Sequence, residues 1–109
     1  MIRHCVFVKF RADVSADERA SIYAGLAALV GRIEGLLSAD FGPNTSPEGM
    51  AKGFNDGFIM DLADAAARDR YLVDPAHKAA GSRLVAALEG GRDGLLVFDL
   101  EVGSQGLVD

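Results

Sequence analysis

From Ile2 to Phe10 the chain alternates with a period of two. Ile2, His4, Val6, Val8 and Phe10 share one parity, and Arg3, Cys5, Phe7 and Lys9 the other. That pattern, rich in Val and Phe, predicts a strand ending at polar Arg11–Asp13. Both parities carry apolar residues, so both faces of this strand call for cover. From Ser15 the period changes: Ile22, Leu26, Leu29, Val30 and Ile33 recur at helical spacing, one apolar stripe for one sheet face, with Gly35 as the stop. Ser15-Ala16-Asp17-Glu18 has the capping-box pattern, in which hydroxyl and carboxylate reciprocally satisfy orphan N–H groups. Leu36 to Phe41 is a short strand candidate. Gly42 to Lys52 holds two of the three prolines and reads as a mobile loop, either a connector or a lid over a pocket. Phe54 to Leu62 is the next strand, with Phe54, Asp56, Phe58, Met60 and Leu62 on one face and Gly57 as a weak point that marks a bulge.

Asp64 then caps a helix running through Ala65, Ala66, Ala67, Tyr71 and Leu72. Pro75 cannot continue it, because proline lacks an N–H and restricts the residue before it. One helical segment therefore stops near Val73 and a second starts at the proline, with Tyr71 and His77 on either side of a rigid corner. Ala79, Ala80, Leu84, Val85 and Leu88 form the second stripe, which Gly90-Gly91 ends. Leu95 to Val102 is the last strand, apolar on both parities apart from Asp99 and Glu101. Gly103 to Asp109 is a tail or an arm onto a partner.

The order β-α-β-β-α-β is the split βαβ, ferredoxin-like arrangement of the α+β class: an antiparallel sheet with helices on one face. The other face would be bare in a monomer, leaving Cys5, Phe7 and apolar residues of the last strand facing water. Burying even ~500 Å² of apolar surface is worth roughly 12 kcal/mol before association costs. Sheet-on-sheet pairing of two copies, a dimeric α+β barrel, is the simplest solution.

Composition narrows the partners. The 109 residues suit one domain over 1–109, with a core about 2–102 and a tail 103–109. Half are apolar and mean hydropathy is +0.17, more than so small an interior can hide, which again points to a subunit interface. Net charge is −5 and pI near 4.9, which argues against nucleic acid and against an anionic membrane surface. A single cysteine and an N-terminus without a leader pattern suggest a reducing cytoplasm. Arg3, Lys9 and Arg11 interrupt the first apolar run, so it is neither a signal h-region nor a membrane span.

The candidate chemistry is proton transfer. An imidazole at His77 has an unperturbed pKa of ~6.5 and suits a general base. Tyr71 would donate a hydrogen bond to a developing enolate oxygen, or simply bury its ring against the sheet. His4 lies among aliphatics, as a satisfied core residue or a pocket group. Asp56 shares its parity with Phe58 and Met60, and needs a partner if covered, from His4, His77 or solvent. A His4/Asp56/His77 cluster could hold a divalent metal, but no short ligand spacing supports one. Cys5 points away from His4 and reads as an interface hydrophobe, and Arg68-Asp69-Arg70 as a solvated helix face. Gly90-Gly91 and Gly94 lack the phosphate-cradling pattern, so no nucleotide is expected.

The opening Ile2-Arg3-His4-Cys5-Val6-Phe7-Val8-Lys9-Phe10 and the corner Tyr71-Leu72-Val73-Asp74-Pro75-Ala76-His77 together resemble the stress-responsive A/B barrel (Dabb, dimeric α+β barrel) family. Gly42-Pro43-Asn44, Gly53-Phe54 and Val97-Phe98-Asp99 fit the same layout, and the likeness covers nearly the whole chain. The resemblance extends to the olivetolic acid cyclase-type polyketide cyclase branch, which closes a linear polyketide by aldol condensation without metal or cofactor. It implies that Tyr71 and His77 are a catalytic pair and that His4 is a further pocket histidine. Where that branch has a histidine in the third strand, this chain has Asp56; Tyr23 lies near its pocket tyrosine in the first helix. The function so implied is a homodimer that binds a small apolar carbonyl compound between sheet and helices, with cyclase-like acid–base chemistry. The alternatives are a non-catalytic stress or interaction protein and a haem- or oxygen-using monooxygenase of the wider group.

Overall fold

The computed structural model describes residues 1–103; the rest of the 103–109 tail lies outside the described residues. The strands are β1 (Ile2–Val8), β2 (Leu36–Pro43), β3 (Asp56–Leu62) and β4 (Leu95–Glu101). Helix α1 (Ala16–Ala27) joins the first two, and α2 (Ala65–Val73) with α3 (Pro75–Ala86) joins the last two. The sheet order is β2-β3-β1-β4 with every neighbouring pair antiparallel. This is the ferredoxin-like α+β fold, with the second helix broken in two. Among the described residues no helix is long and apolar enough to cross a membrane.

Register explains the two faces. His4 stands opposite Met60 on one side and Asp99 on the other, and Val6 opposite Phe58 and Val97. The parity of Ile2, Val6, Val8, Phe58, Met60 and Leu62 is buried under Ile22, Leu26, Tyr71 and Leu84 from the helices. The other parity has no helical cover, and Leu96, Phe98 and Leu100 of β4 remain 43–48% exposed there. Cys5 departs from expectation. It is buried within a single chain, because Ile59 and Phe98 flank it across the ladder.

The element ends show where tertiary packing overrides periodicity. Ser15 caps α1 as its sequence indicates, its Oγ accepting from the Glu18 N–H at 3.1 Å. The Glu18 carboxylate, however, receives Arg83 of α3 at 2.7 Å. The helix stops at Ala27 rather than running to Ile33. Bonds from Leu29 N–H to the Leu26 carbonyl and from Val30 N–H to the Ala27 carbonyl tighten the chain into turns, which still bury Leu29 and Ile33. Helix α3 ends at Ala86 because Leu88 is drawn into a bridge with Phe10, with the Glu89 N–H bonded to the Lys9 carbonyl. Gly57 is not a bulge. The β1–β3 register runs through it unbroken, and the irregularity falls between Leu36 and Ser38 of β2. The glycine is needed for another reason: a Cβ there would come 2.7 Å from both the Phe7 ring and the Val6 carbonyl oxygen.

Candidate functional site

The break between α2 and α3 is built locally. Asp74 adopts φ −66°, ψ 129°, the extended backbone that the residue before a proline prefers, and so ends α2. Its carboxylate accepts from the N–H of Ala76 at 2.8 Å and of His77 at 3.4 Å, and caps α3 with Pro75 in its first turn. Tyr71 from one helix and His77 from the next thereby meet, their ring centroids 3.9 Å apart and their planes inclined at 37°. His4 reaches the same point from β1, edge-on to Tyr71 at 5.6 Å.

All three line a cavity of about 800 Å³ between the β1/β4 side of the sheet and the two later helices. Val6, Leu26, Phe58, Leu84 and Val97 supply apolar wall. Tyr71 is almost fully buried, and its hydroxyl donates to the Met60 sulfur at 3.2 Å. A thioether is a weak acceptor, so this proton is available to a better one. Burial holds the phenol well above its ordinary range, keeping it a donor. His77 Nδ1 is buried with no hydrogen-bond partner. Burial, and then the proximity of His4, push the His77 pKa below its ordinary 6.5, against smaller opposing effects from the Leu72 backbone and Asp74. At neutral pH this imidazole is uncharged and able to accept a proton.

His4 is oriented by a chain of polar contacts. Its Nδ1 lies 2.7 Å from Asp99 Oδ1, and Arg68 Nη1 donates to the other carboxylate oxygen at 2.9 Å. Burial alone would raise the Asp99 pKa, but the hydrogen bonds from His4 and Arg68 outweigh it and hold the carboxyl below its usual value. With Nδ1 facing Asp99, His4 keeps Nε2 for other partners.

The model of the stress-responsive A/B barrel domain matches residues 2–102. The chain belongs to this family. Among solved structures, a dimeric ferredoxin-like protein of unknown function from a Jannaschia species is 36% identical, with 93% of this chain and 98% of that one covered and a TM-score of 0.85. An Arabidopsis thaliana protein is 25% identical over 95% of this chain and 97% of its own, with a TM-score of 0.86. A hydroxynitrile lyase from Passiflora edulis, at 18% identity, shares the fold with a TM-score of 0.83 over 94% of each chain. No curated protein matches the chain.

Within this A/B barrel the five residues singled out by sequence separate into two groups. His4, Tyr71 and His77 converge on the cavity; Asp56 and Tyr23 do not line it. Asp56 stands opposite Val8, four positions along β1 from His4, and its partner is Arg19 of α1 at 3.6 Å rather than either histidine. Tyr23 stacks on Phe41 at 4.7 Å within an aromatic group that includes Phe10 and Phe58. Burial and nearby Asp56 push its phenol up to about 12, and its hydroxyl is buried without a partner. A His4/Asp56/His77 metal site is therefore ruled out by distance, and among the described residues no three His, Cys, Asp or Glu side chains group as metal ligands. Arg68 is also not a free surface charge, since it bridges Asp69 and Asp99. Sequence reasoning passed over Asp99 as a residue of the site. The available signal was its place as an acid inside an apolar strand, with the other acid, Glu101, at the strand's end.

Proposed function

We propose that this A/B barrel domain acts as a homodimer whose cavities each bind a small, largely apolar carbonyl compound. His77 removes a proton from the carbon beside the carbonyl, and Tyr71 donates a hydrogen bond to the oxygen as enolate charge develops. The bond to that carbon's hydrogen breaks, its electron pair moves toward oxygen, and the proton resides on the imidazole until it is returned. His4, held by Asp99, fixes the third wall.

The observation that carries this reading is the contact of Tyr71 with His77 across the Pro75 corner, on a cavity of about 800 Å³. Two details support it. The base is neutral through burial, and the donor is committed only to a sulfur. The apolar wall suits a ligand bound mainly by desolvation, with few polar groups to orient it. Pairing is supported by the exposed Leu96, Phe98 and Leu100 and by the dimeric relative at 36% identity.

The test is deuterium exchange at the carbon next to the carbonyl of a medium-chain methyl ketone in heavy water, followed by NMR. The wild-type protein should accelerate exchange. Tyr71→Phe and His77→Ala should retain the fold by circular dichroism and lower the rate by about 100-fold or more. Exchange unaltered in either variant would remove that residue from the chemistry.

A further inference from the structure

The cavity is chemically uneven along its length. The proton-handling groups His4, Tyr71 and His77 occupy one end. At the other end a 3₁₀ turn, Gly91–Gly94, leads into β4 and is pinned past the end of β1, where the Lys9 N–H bonds the Gly94 carbonyl at 2.9 Å. Lys9 is five positions from His4, about 17 Å at the rise of an antiparallel strand. Arg92 is carried on this turn, and it lines the same cavity.

Arg92 combines a place on the cavity with the lack of a carboxylate partner. The chain has eight arginines and a net charge of −5. Arg3, Arg11, Arg19, Arg68, Arg70 and Arg83 each have a carboxylate within 4 Å. Among the described residues Arg32 and Arg92 have none; of the two only Arg92 lines the cavity, and no Asp or Glu lines it. Its sequence neighbour Asp93 lies against Gly90 instead. Arg92 is exposed, and a guanidinium is a planar fork matched to a carboxylate. Lys78, the other cation on the cavity, adjoins His77 at the reacting end and is a single point of charge.

We propose that Arg92 receives a carboxylate of the ligand, so that the cavity selects a bifunctional compound. An apolar chain or ring system would place a ketone at Tyr71 and His77 and a carboxylate at Arg92. This rests on the carbonyl-binding reading above and specifies the substrate class as oxo-acids of medium length.

Titration calorimetry with a medium-chain oxo-acid, its methyl ester and the matching methyl ketone lacking the carboxyl tests it. Wild type should bind the acid at least about tenfold more tightly than the ester, as one charge-assisted contact implies. Arg92→Gln should abolish that preference while binding the ketone as wild type does. Lys78→Gln should keep the preference. Equal binding of acid and ester by wild type, a preference that survives Arg92→Gln, or one that disappears with Lys78→Gln would each overturn the assignment. If the ketone binds and exchanges its protons while the acid gains nothing, only the role of Arg92 fails. If none of the three binds, the carbonyl-binding reading falls with it.

Discussion

His77, the base of the proposed reaction, is also a source of pH-dependent stability. Its folded pKa lies below the 6.5 of an exposed imidazole, so the unfolded chain takes up this proton at higher pH than the folded one does. The stability it contributes is therefore complete above about pH 6.5 and is lost as pH falls through the folded value. Urea midpoints measured between pH 7.5 and 5 should drop in the wild type and drop less in His77→Gln. Asp99 acts lower on the scale. Its depressed pKa means that its contribution is present above the ordinary carboxyl value of 3.8 and disappears as pH falls through the folded one. Asp99→Ala would leave His4 Nδ1 and one arm of Arg68 unpartnered, at a cost of about 1–3 kcal/mol in denaturant unfolding. Single residues were unevenly legible. Tyr71 and His77 were marked by the proline between them. The Asp99–His4 contact joins positions 95 apart and has no local signature.

The corner between α2 and α3 is the element that makes the site, and Asp74 serves both helices. It ends one by its extended backbone and starts the other by its side chain. Asp74→Ala should lower stability by about 1 kcal/mol through the lost cap, and should slow ketone exchange by loosening the approach of His77 to Tyr71. Gly35→Ala tests the other end of α2's packing. Gly35 has φ +87°, and an added Cβ would fall 2.5 Å from the Cβ of Ala67, so a loss of roughly 2 kcal/mol or more in thermal or urea unfolding is expected. The proline corner and the caps at Ser15 and Asp64 were readable because their donors and acceptors lie within three residues. The early ends of α1 and α3 were not, since Leu29 and Leu88 follow the helical period but Leu29 is buried in a turn and Leu88 is drawn into a bridge with Phe10.

For the whole molecule, the proposed pairing rests on the face of the sheet opposite the helices. Leu96 and Phe98 stand across from Phe7 and Cys5, and Phe98 stacks on Phe7 at 5.9 Å; Leu96, Phe98 and Leu100 are left as an apolar surface exposed in one chain. The wild type should run as a dimer by light scattering after gel filtration. Phe98→Asp should run as a monomer with a lowered unfolding midpoint, because a carboxylate set into that surface cannot be paired. By itself, the chain's pattern determined the four strands, the split βαβ order, the bare sheet face and the corner that pairs Tyr71 with His77. Those depend on periodicity and on bonds between near neighbours, which any local stretch carries within itself. Only the tertiary structure decided that Asp56 belongs to Arg19, that Asp99 belongs to His4, and that Arg92 shares a cavity with His77. Such partners are chosen by strand register and by the seating of helices on the sheet, where shifting one position moves a side chain to the opposite face.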